Sequence, residues 1–300
     1  FYVAFNKAIA TEASRKFPRN VQSRTAHSLA YGAVGRQYAE RLKGRLTGRT
    51  IAEYFDLPSL MGISPNQVGY LIQEQARQFM NSGKSDINEK HAPFSDVMKA
   101  LKQEFRTEKN ARKIVKEITP MTTAFWETLI DPACTLPITH DTYLKLWGLS
   151  KPVIPADFIL FDEAQDASGV MLEVIRSQQA QQIWVGDRYQ AIYGWRGAVN
   201  AMKLIKTDHT AQITQSFRFG PEIAELANTI LGKMLGSSMT LRGFDSVKSV
   251  VGRCDRPDAV LCRTNACVVE ELMRQLEEGN TRVYVEGGVQ QMIKLFEGVD

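Results

Sequence analysis

Cysteine is scarce in this chain: there are four (Cys134, Cys254, Cys262, Cys267), none in a Cys-x-x-Cys pair and none with a histidine at ligand spacing. That excludes a disulfide scaffold and a zinc finger, and fits a reduced, intracellular protein with free thiols, in which nucleus and prokaryotic cytoplasm are not distinguished. Long hydrophobic runs are also missing. None approaches the ~20 apolar residues of a membrane span, the first residues carry no signal-peptide pattern, and no membrane partner is expected. There is no internal repeat and no low-complexity tract. A complete phosphate-cradling glycine loop is lacking too. Gly83-Lys84-Ser85 imitates its end, but Gln78 stands where the leading glycine belongs, and the tripeptide follows a helical pattern where such a loop follows a strand. It reads as a turn. Finally, the chain opens with Phe1 inside an apparent strand, not with Met, which reads as a fragment or a processed form.

What is present is ample apolar material. At 300 residues and 44% hydrophobic the chain can bury substantial cores, and more than one domain is expected. Net charge is only +4, but residues 1–50 hold ten Lys or Arg against Glu12 and Glu40. Such a basic excess fits a polyanion partner, and equally a solvated basic face.

The most informative stretch is 157–198, DFILFDEAQDASGVMLEVIRSQQAQQIWVGDRYQAIYGWRGA. Phe158 to Phe161 has the pattern of a strand buried on both faces and ends directly in Asp162-Glu163. Ile183 to Val185 is a second such run and opens onto Gly186-Asp187. In an open parallel α/β sheet, ligands sit at the carboxyl ends of strands, so two acid-ended strands point to one site. Adjacent carboxylates there suit Mg²⁺ beside nucleotide phosphates, with a second carboxylate to orient a water. Two acidic turns are the plain alternative.

Around this stretch the pattern alternates. Phe1 to Phe5 reads as a strand and Asn6 to Lys16 as a helix, followed by a strand at Val21 to Thr25 and a helix from Ala26 through Lys43. Between 45 and 150 the chain reads as helices and loops. Pro65 to Met80 carries Val68, Leu71, Ile72, Ala76 and Phe79 on one face, and Thr107 to Leu129 is expected to break near Pro120. Later come a helix near Ala198 to Lys203, a strand and turn at Ile213 to Phe219 and a helix from Pro221 to Leu235. Residues 236–257 read as a linker. Ala259 to Cys262 reads as a strand, Asn265 to Glu277 as a helix and Arg282 to Val285 as another strand.

The order DEAQD, then VGDRYQAIYGWRGA, resembles motifs II and III of the UvrD-like superfamily 1 DNA helicases. Gln215 to Phe219 resembles motif IV, Ala4 to Ala8 motif Ia, and Thr25 to Ser28 motif Ib. HDTYLKLW from His140, QSFRFG from Gln215 and CRTNA from Cys262 resemble the F-box DNA helicase branch, although no segment resembling an F-box is present. The resemblance implies an α/β fold: a RecA-like P-loop NTPase parallel sheet, an inserted all-helical subdomain, and the start of a second RecA-like domain. Residues 1–44 and 151–235 would form domain 1A, 45–150 the helical subdomain 1B, and 236–300 a linker and the beginning of domain 2A. The phosphate loop is expected upstream of Phe1, and the chain alone is expected to be inactive.

The resemblance further implies ATP and Mg²⁺ as cofactors, single-stranded DNA and duplex junctions as partners, 3′-to-5′ movement, and work in repair or recombination. Asp162 would hold Mg²⁺ and Glu163 would position the attacking water. Gln190 would sense the γ-phosphate, Arg218 would act as an arginine finger, and Phe217 would stack on adenine. Phe5, Asn6, Thr25, His27, Tyr193, Trp195 and Arg196 would meet DNA, with rings stacking on bases without regard to sequence. Each has a plain alternative: core aromatics at Phe5, Tyr193 and Trp195, a helix-terminal histidine at His27, a surface arginine at Arg218. Two further readings stand beside the helicase, a non-catalytic DNA-binding or scaffolding piece and a Mg²⁺-dependent nuclease. The order of Gln190, Trp195 and Arg218 speaks against the nuclease.

Overall fold

The computed structural model describes residues 1–194, 197–252, 254–255, 257–280, 282–286 and 288. They form two compact units, Phe1–Asp208 and His209–Asp300, each described by itself.

In the first unit the elements run β1 (Tyr2–Ala4), α1 (Lys7–Lys16), β2 (Ser23–Thr25), α2 (Ala26–Ala33), α3 (Gly48–Phe55), α4 (Pro65–Asn81), α5 (Phe94–Ala100), α6 (Glu108–Ile130), α7 (His140–Leu149), β3 (Phe158–Phe161), α8 (Gly169–Arg176), β4 (Gln181–Trp184) and α9 (Ala201–Leu204). The strands form one parallel sheet in the order β2-β1-β3-β4, with Val3 opposite both Arg24 and Phe161. Helix α1 crosses over from β1 to β2, and α8 from β3 to β4. Strands β1 and β3 are neighbours although the whole helical stretch lies between them in sequence. The helices are therefore an insertion into a sheet that closes behind them.

The two-residue period of the strands sorts their side chains. Val3, Ile159 and Phe161 face the large core, while Tyr2, Ala4 and Leu160 face the alanines Ala10 and Ala13 of α1. Burial on both faces, expected for the two apolar runs, holds only in part. Phe158 is 41% and Ile183 39% exposed, because β4 is the sheet's edge among the described residues and β3 begins beyond the cover of the helices. The second strand also starts earlier than expected, at Gln181, and Val185 N–H continues its ladder to the carbonyl of Phe161 at 2.9 Å.

Helix α4 begins as its sequence announces. Ser64 and Gln67 exchange hydrogen bonds in a capping box, with Pro65 in the first turn. Its apolar face carries Leu71, Ile72 and Phe79 into a core shared with Ile114, Ile118, Phe125 and Leu129 of α6. The break expected at Pro120 does not occur: α6 is continuous from Glu108 to Ile130. Pro120 lies on the exposed face, where a carbonyl deprived of its donor can turn to water, and the buried face carries the helix through. The helix expected from Ala26 to Lys43 instead stops at Ala33 and continues as a tighter 3-10 coil over Gly35–Lys43. Tertiary ties override propensity there. The Arg41 guanidinium donates to the carbonyls of Leu136, Asp131 and Leu129, and Tyr38 Oη donates to that of Ile130.

Residues 82–85 form the expected turn. Lys145 from α7, itself 1% exposed, donates to the carbonyls of Ser82 (2.8 Å) and Lys84 (2.6 Å) and lies 4.1 Å from the centre of the Phe79 ring. Burial depresses its pKa to about 8, against a smaller opposing pull from Asp86.

The second unit holds α10 (Pro221–Thr229), which widens into a π-turn over Ile230–Met234, and α11 (Asn265–Glu277), capped by Thr264. The strands expected at 213–219, 259–262 and 282–285 are not formed among the described residues; Gln215 and Arg242 make an isolated bridge. At 213–219 the pairing stops at this bridge, with Ser216 N–H on the Arg242 carbonyl and Arg242 N–H on the Thr214 carbonyl, both at 2.8 Å; at 259–262, with side chains as open as Leu261 at 98%, extension gains no burial. Among the described residues no helix is long and apolar enough to cross a membrane.

Candidate functional site

The carboxyl ends of β3 and β4 converge as their acids suggested. Asp162 still belongs to the ladder through its N–H, which donates to the carbonyl of Val3 at 3.1 Å. Its Oδ2 accepts from the Tyr2 hydroxyl at 2.5 Å, and its Oδ1 accepts from the Glu163 N–H at 2.9 Å. Burial first, then the bond and charge of Asp162, hold the Tyr2 phenol far above its ordinary range, so it remains a donor. Nothing in the sequence announces Tyr2. Its role follows only once β1 lies beside β3.

The chain then turns sharply. Glu163 has φ +51°, a left-handed conformation that costs a side-chain-bearing residue on the order of 1 kcal/mol or more. The turn is held by Ala164 N–H to the Val185 carbonyl (2.9 Å) and Asp166 N–H to the Glu163 carbonyl (2.9 Å). Gln165, 1% exposed, sits beneath it: its Nε2 donates to Glu163 Oε2 at 2.5 Å, and its Oε1 accepts from the Asp187 N–H at 3.0 Å. Asp166 Oδ1 is buried without a partner, and burial, with the charge of Glu163 second, raises the pKa of Asp166.

From β4 the loop continues through Asp187, whose carboxylate accepts from the Tyr189 N–H (2.9 Å) and from Gln190 Nε2 (2.8 Å). The loop carries Tyr193 onto Phe5, their rings stacked 5.6 Å apart at 27°. Two residues expected to touch a nucleic acid, 188 positions apart in sequence, thus share one half-exposed platform. The turn closes with Gly197 at φ +91°, where a Cβ would lie 2.7 Å from that of Asn81 at the end of α4. Trp195 and Arg196 lie outside the described residues.

Asn6 and Thr25 serve the fold. Asn6 Oδ1 accepts from Ile9 N–H (2.9 Å) and caps α1, and Thr25 Oγ1 accepts from Ser28 N–H (3.1 Å) and caps α2. A helix cap still leaves neighbouring N–H groups facing outward, so capping and anion contact are compatible. His27 is 40% exposed, with Nε2 3.8 Å from Asp141 Oδ1, and Asp141 Oδ2 in turn accepts from Asn81 Nδ2 at 3.4 Å. His27 and the Gly197 turn are therefore joined through Asp141 and Asn81, a link with no sequence signal.

In the second unit, Phe217 is 69% exposed with its ring edge-on to Phe244 at 5.2 Å, and the exposed Arg218 donates its N–H to Ser216 Oγ at 3.2 Å. Gln215 fastens this segment through its Nε2 to the carbonyls of Arg242 and Gly243.

Among the described residues no group of three or more His, Cys, Asp or Glu could cage a metal. The strand-end Asp162 carboxylate with Glu163 beside it fits the way Mg²⁺ keeps most of its waters and takes one or two carboxylates beside phosphates.

A parallel α/β sheet with two neighbouring acid-ended strands, and an aromatic platform on the loop leaving the second, defines a class in which a polar site and a ring-lined surface share one end of the sheet. Residues 5–210 match the family model described as the UvrD/REP helicase N-terminal domain. The chain belongs to this family. It is 35% identical over 96% of its length to the F-box DNA helicase 1 of Gallus gallus, and 32% identical over 86% to the F-box DNA helicase protein 1 of Schizosaccharomyces pombe. A probable DNA helicase II homolog of Mycoplasma pneumoniae is 35% identical over 35% of the chain. The chain spans 29% and 30% of the first two relatives' lengths.

Proposed function

We propose that the chain is part of the motor core of an ATP-dependent DNA helicase that moves 3′-to-5′ along single-stranded DNA and opens duplex junctions. The observation that carries this reading is the continuous path from Asp162 and Glu163, through Asp187 and Gln190, to the Tyr193–Phe5 stack. Family membership and the names of the two F-box helicase relatives support it. In this reading 1–44 with 151–235 form domain 1A, 45–150 subdomain 1B, and 236–300 the linker and start of domain 2A; repair or recombination is the setting.

Mg²⁺ held with ATP would neutralise charge on the phosphates. Asp162 is the residue to hold it, its orientation fixed by Tyr2. Glu163 would orient a water and Gln190 would sense the terminal phosphate; Arg218 would supply a permanent guanidinium charge and Phe217 a ring for adenine. Phe5 and Tyr193 stack on bases, with Trp195 and Arg196 beside them in sequence. Asn6, Thr25 and His27 meet the phosphate backbone.

The test is ATP hydrolysis with and without oligothymidylate, on this chain and on a form extended at both ends. Stimulation by the single strand in either form supports the motor reading. Strand binding with no hydrolysis in either form would favour a DNA-binding scaffold, and strand cleavage without ATP would favour the nuclease.

A further inference from the structure

Gln165 has no role among the assignments above, yet its amide is fully committed. Nε2 donates to Glu163 Oε2 at 2.5 Å and more distantly to Asp166 Oδ2 at 3.4 Å, and Oε1 accepts from Asp187 N–H at 3.0 Å. A single buried side chain thus spans the turn after β3 and the turn after β4. The fit is close: a Cβ on Gly186 would lie 2.4 Å from Gln165 Oε1. The turn itself is already held by the backbone bonds of Ala164 and Asp166. What the amide adds is the placement of the Glu163 carboxylate relative to Asp187. Asp187 in turn fixes Tyr189 and Gln190, and that loop ends at Tyr193 on Phe5.

We propose that Gln165 is a positioning residue that couples the Glu163 carboxylate to the 187–193 loop, so that a strand engaging Phe5 and Tyr193 steadies Glu163. The proposal rests on the DNA-binding part of the function proposed above. An amide is suited to this because it donates and accepts at once, giving each turn the group it lacks. A buried polar tie of this kind either forms completely or costs the unpaired partner its desolvation, so the two turns move together.

Hydrogen exchange of the full chain, read by mass spectrometry with and without oligothymidylate, tests it without requiring hydrolysis. In the wild-type protein the strand slows exchange over 187–193 and also over 163–166, by about tenfold in each, a local-opening effect. Two variants remove the contacts. Gln165→Leu removes both; Gln165→Met, closer to glutamine in length, likewise carries no donor for Glu163. In both, slowing at 187–193 persists and slowing at 163–166 is lost, while exchange in α4 and α6 without DNA matches wild type and shows that the fold is intact. If the effect at 163–166 is absent in wild type, or persists in either folded variant, the coupling is overturned and the helicase reading stands. If nothing slows at 187–193 in wild type, the strand does not engage this loop, and both fall. Should Gln165→Leu fail to fold, Gln165→Met decides alone.

Discussion

The two ends of the candidate site are built differently. At the acidic end the carboxylates are tied by directional bonds: Asp162 takes bonds from Tyr2 and Glu163, and Gln165 bridges Glu163 and Asp187. At the aromatic end Phe5 and Tyr193 rest on one another, half-exposed, on a turn that depends on Gly197. The contrast follows from the tasks. Orienting a water for phosphoryl transfer tolerates little displacement, so the carboxylates are held by directional bonds. Stacking on successive bases of any sequence requires flat rings that can be parted and re-engaged, so a non-directional contact serves better.

Each end can be broken separately. The largest effect is expected from Glu163→Gln, which removes the proton acceptor while keeping the shape and should lower single-strand-stimulated hydrolysis by about 10²–10⁴-fold, as steady-state kinetics would show. Next is Tyr193→Ala. It should weaken single-strand binding by roughly 1–3 kcal/mol in a fluorescence-anisotropy titration, similarly for oligothymidylate and mixed sequences. A loss confined to one base composition would mean direct readout instead.

Gly197→Ala addresses the hinge of the aromatic end. With φ +91° and Asn81 only 2.7 Å from the added Cβ, it should cost about 1–3 kcal/mol in urea unfolding or else displace the loop and reduce strand affinity. Normal stability together with normal affinity would show that the close approach is unimportant. A further effect lies away from both ends, at Lys145. Its folded pKa of about 8 is below its ordinary 10.5, so between these values the unfolded chain binds the extra proton and stability rises with pH. Below pH 8 both states are charged and the full burial penalty applies. Urea unfolding across pH 7–10 should show this rise in the wild-type protein and a flatter profile in Lys145→Met.

The acidic end was largely legible in the sequence because its residues are local: an apolar strand followed by Asp162-Glu163, and another followed by Asp187, say where a parallel sheet ends. Helix α4 was legible for the same reason, since its cap and stripe lie within one stretch. What stayed hidden depends on neighbours distant in the chain. Tyr2 reaches Asp162 only because β1 and β3 pair across the helical insertion, and Asn81 meets Gly197 only after α4 docks. Gln165 was visible as a letter in DEAQD, but its burial and two-sided bonding were not. Pro120 misled because a local rule was applied to a helix whose packed face overrides it. The strand readings at 213–219 and 259–262 misled in the opposite sense: a strand pattern forms no strand without a full ladder beside it, and Gln215 finds only a single bridge.

The most direct test of the separation between the two ends measures stimulated ATP hydrolysis and single-strand affinity side by side in Glu163→Gln and Tyr193→Ala, in a form of the protein that hydrolyses ATP. The expected pattern is crossed. Glu163→Gln loses hydrolysis and retains the strand, whereas Tyr193→Ala loses strand affinity and keeps its unstimulated rate. Normal hydrolysis in Glu163→Gln, or full affinity in Tyr193→Ala, would contradict the roles given to the two ends.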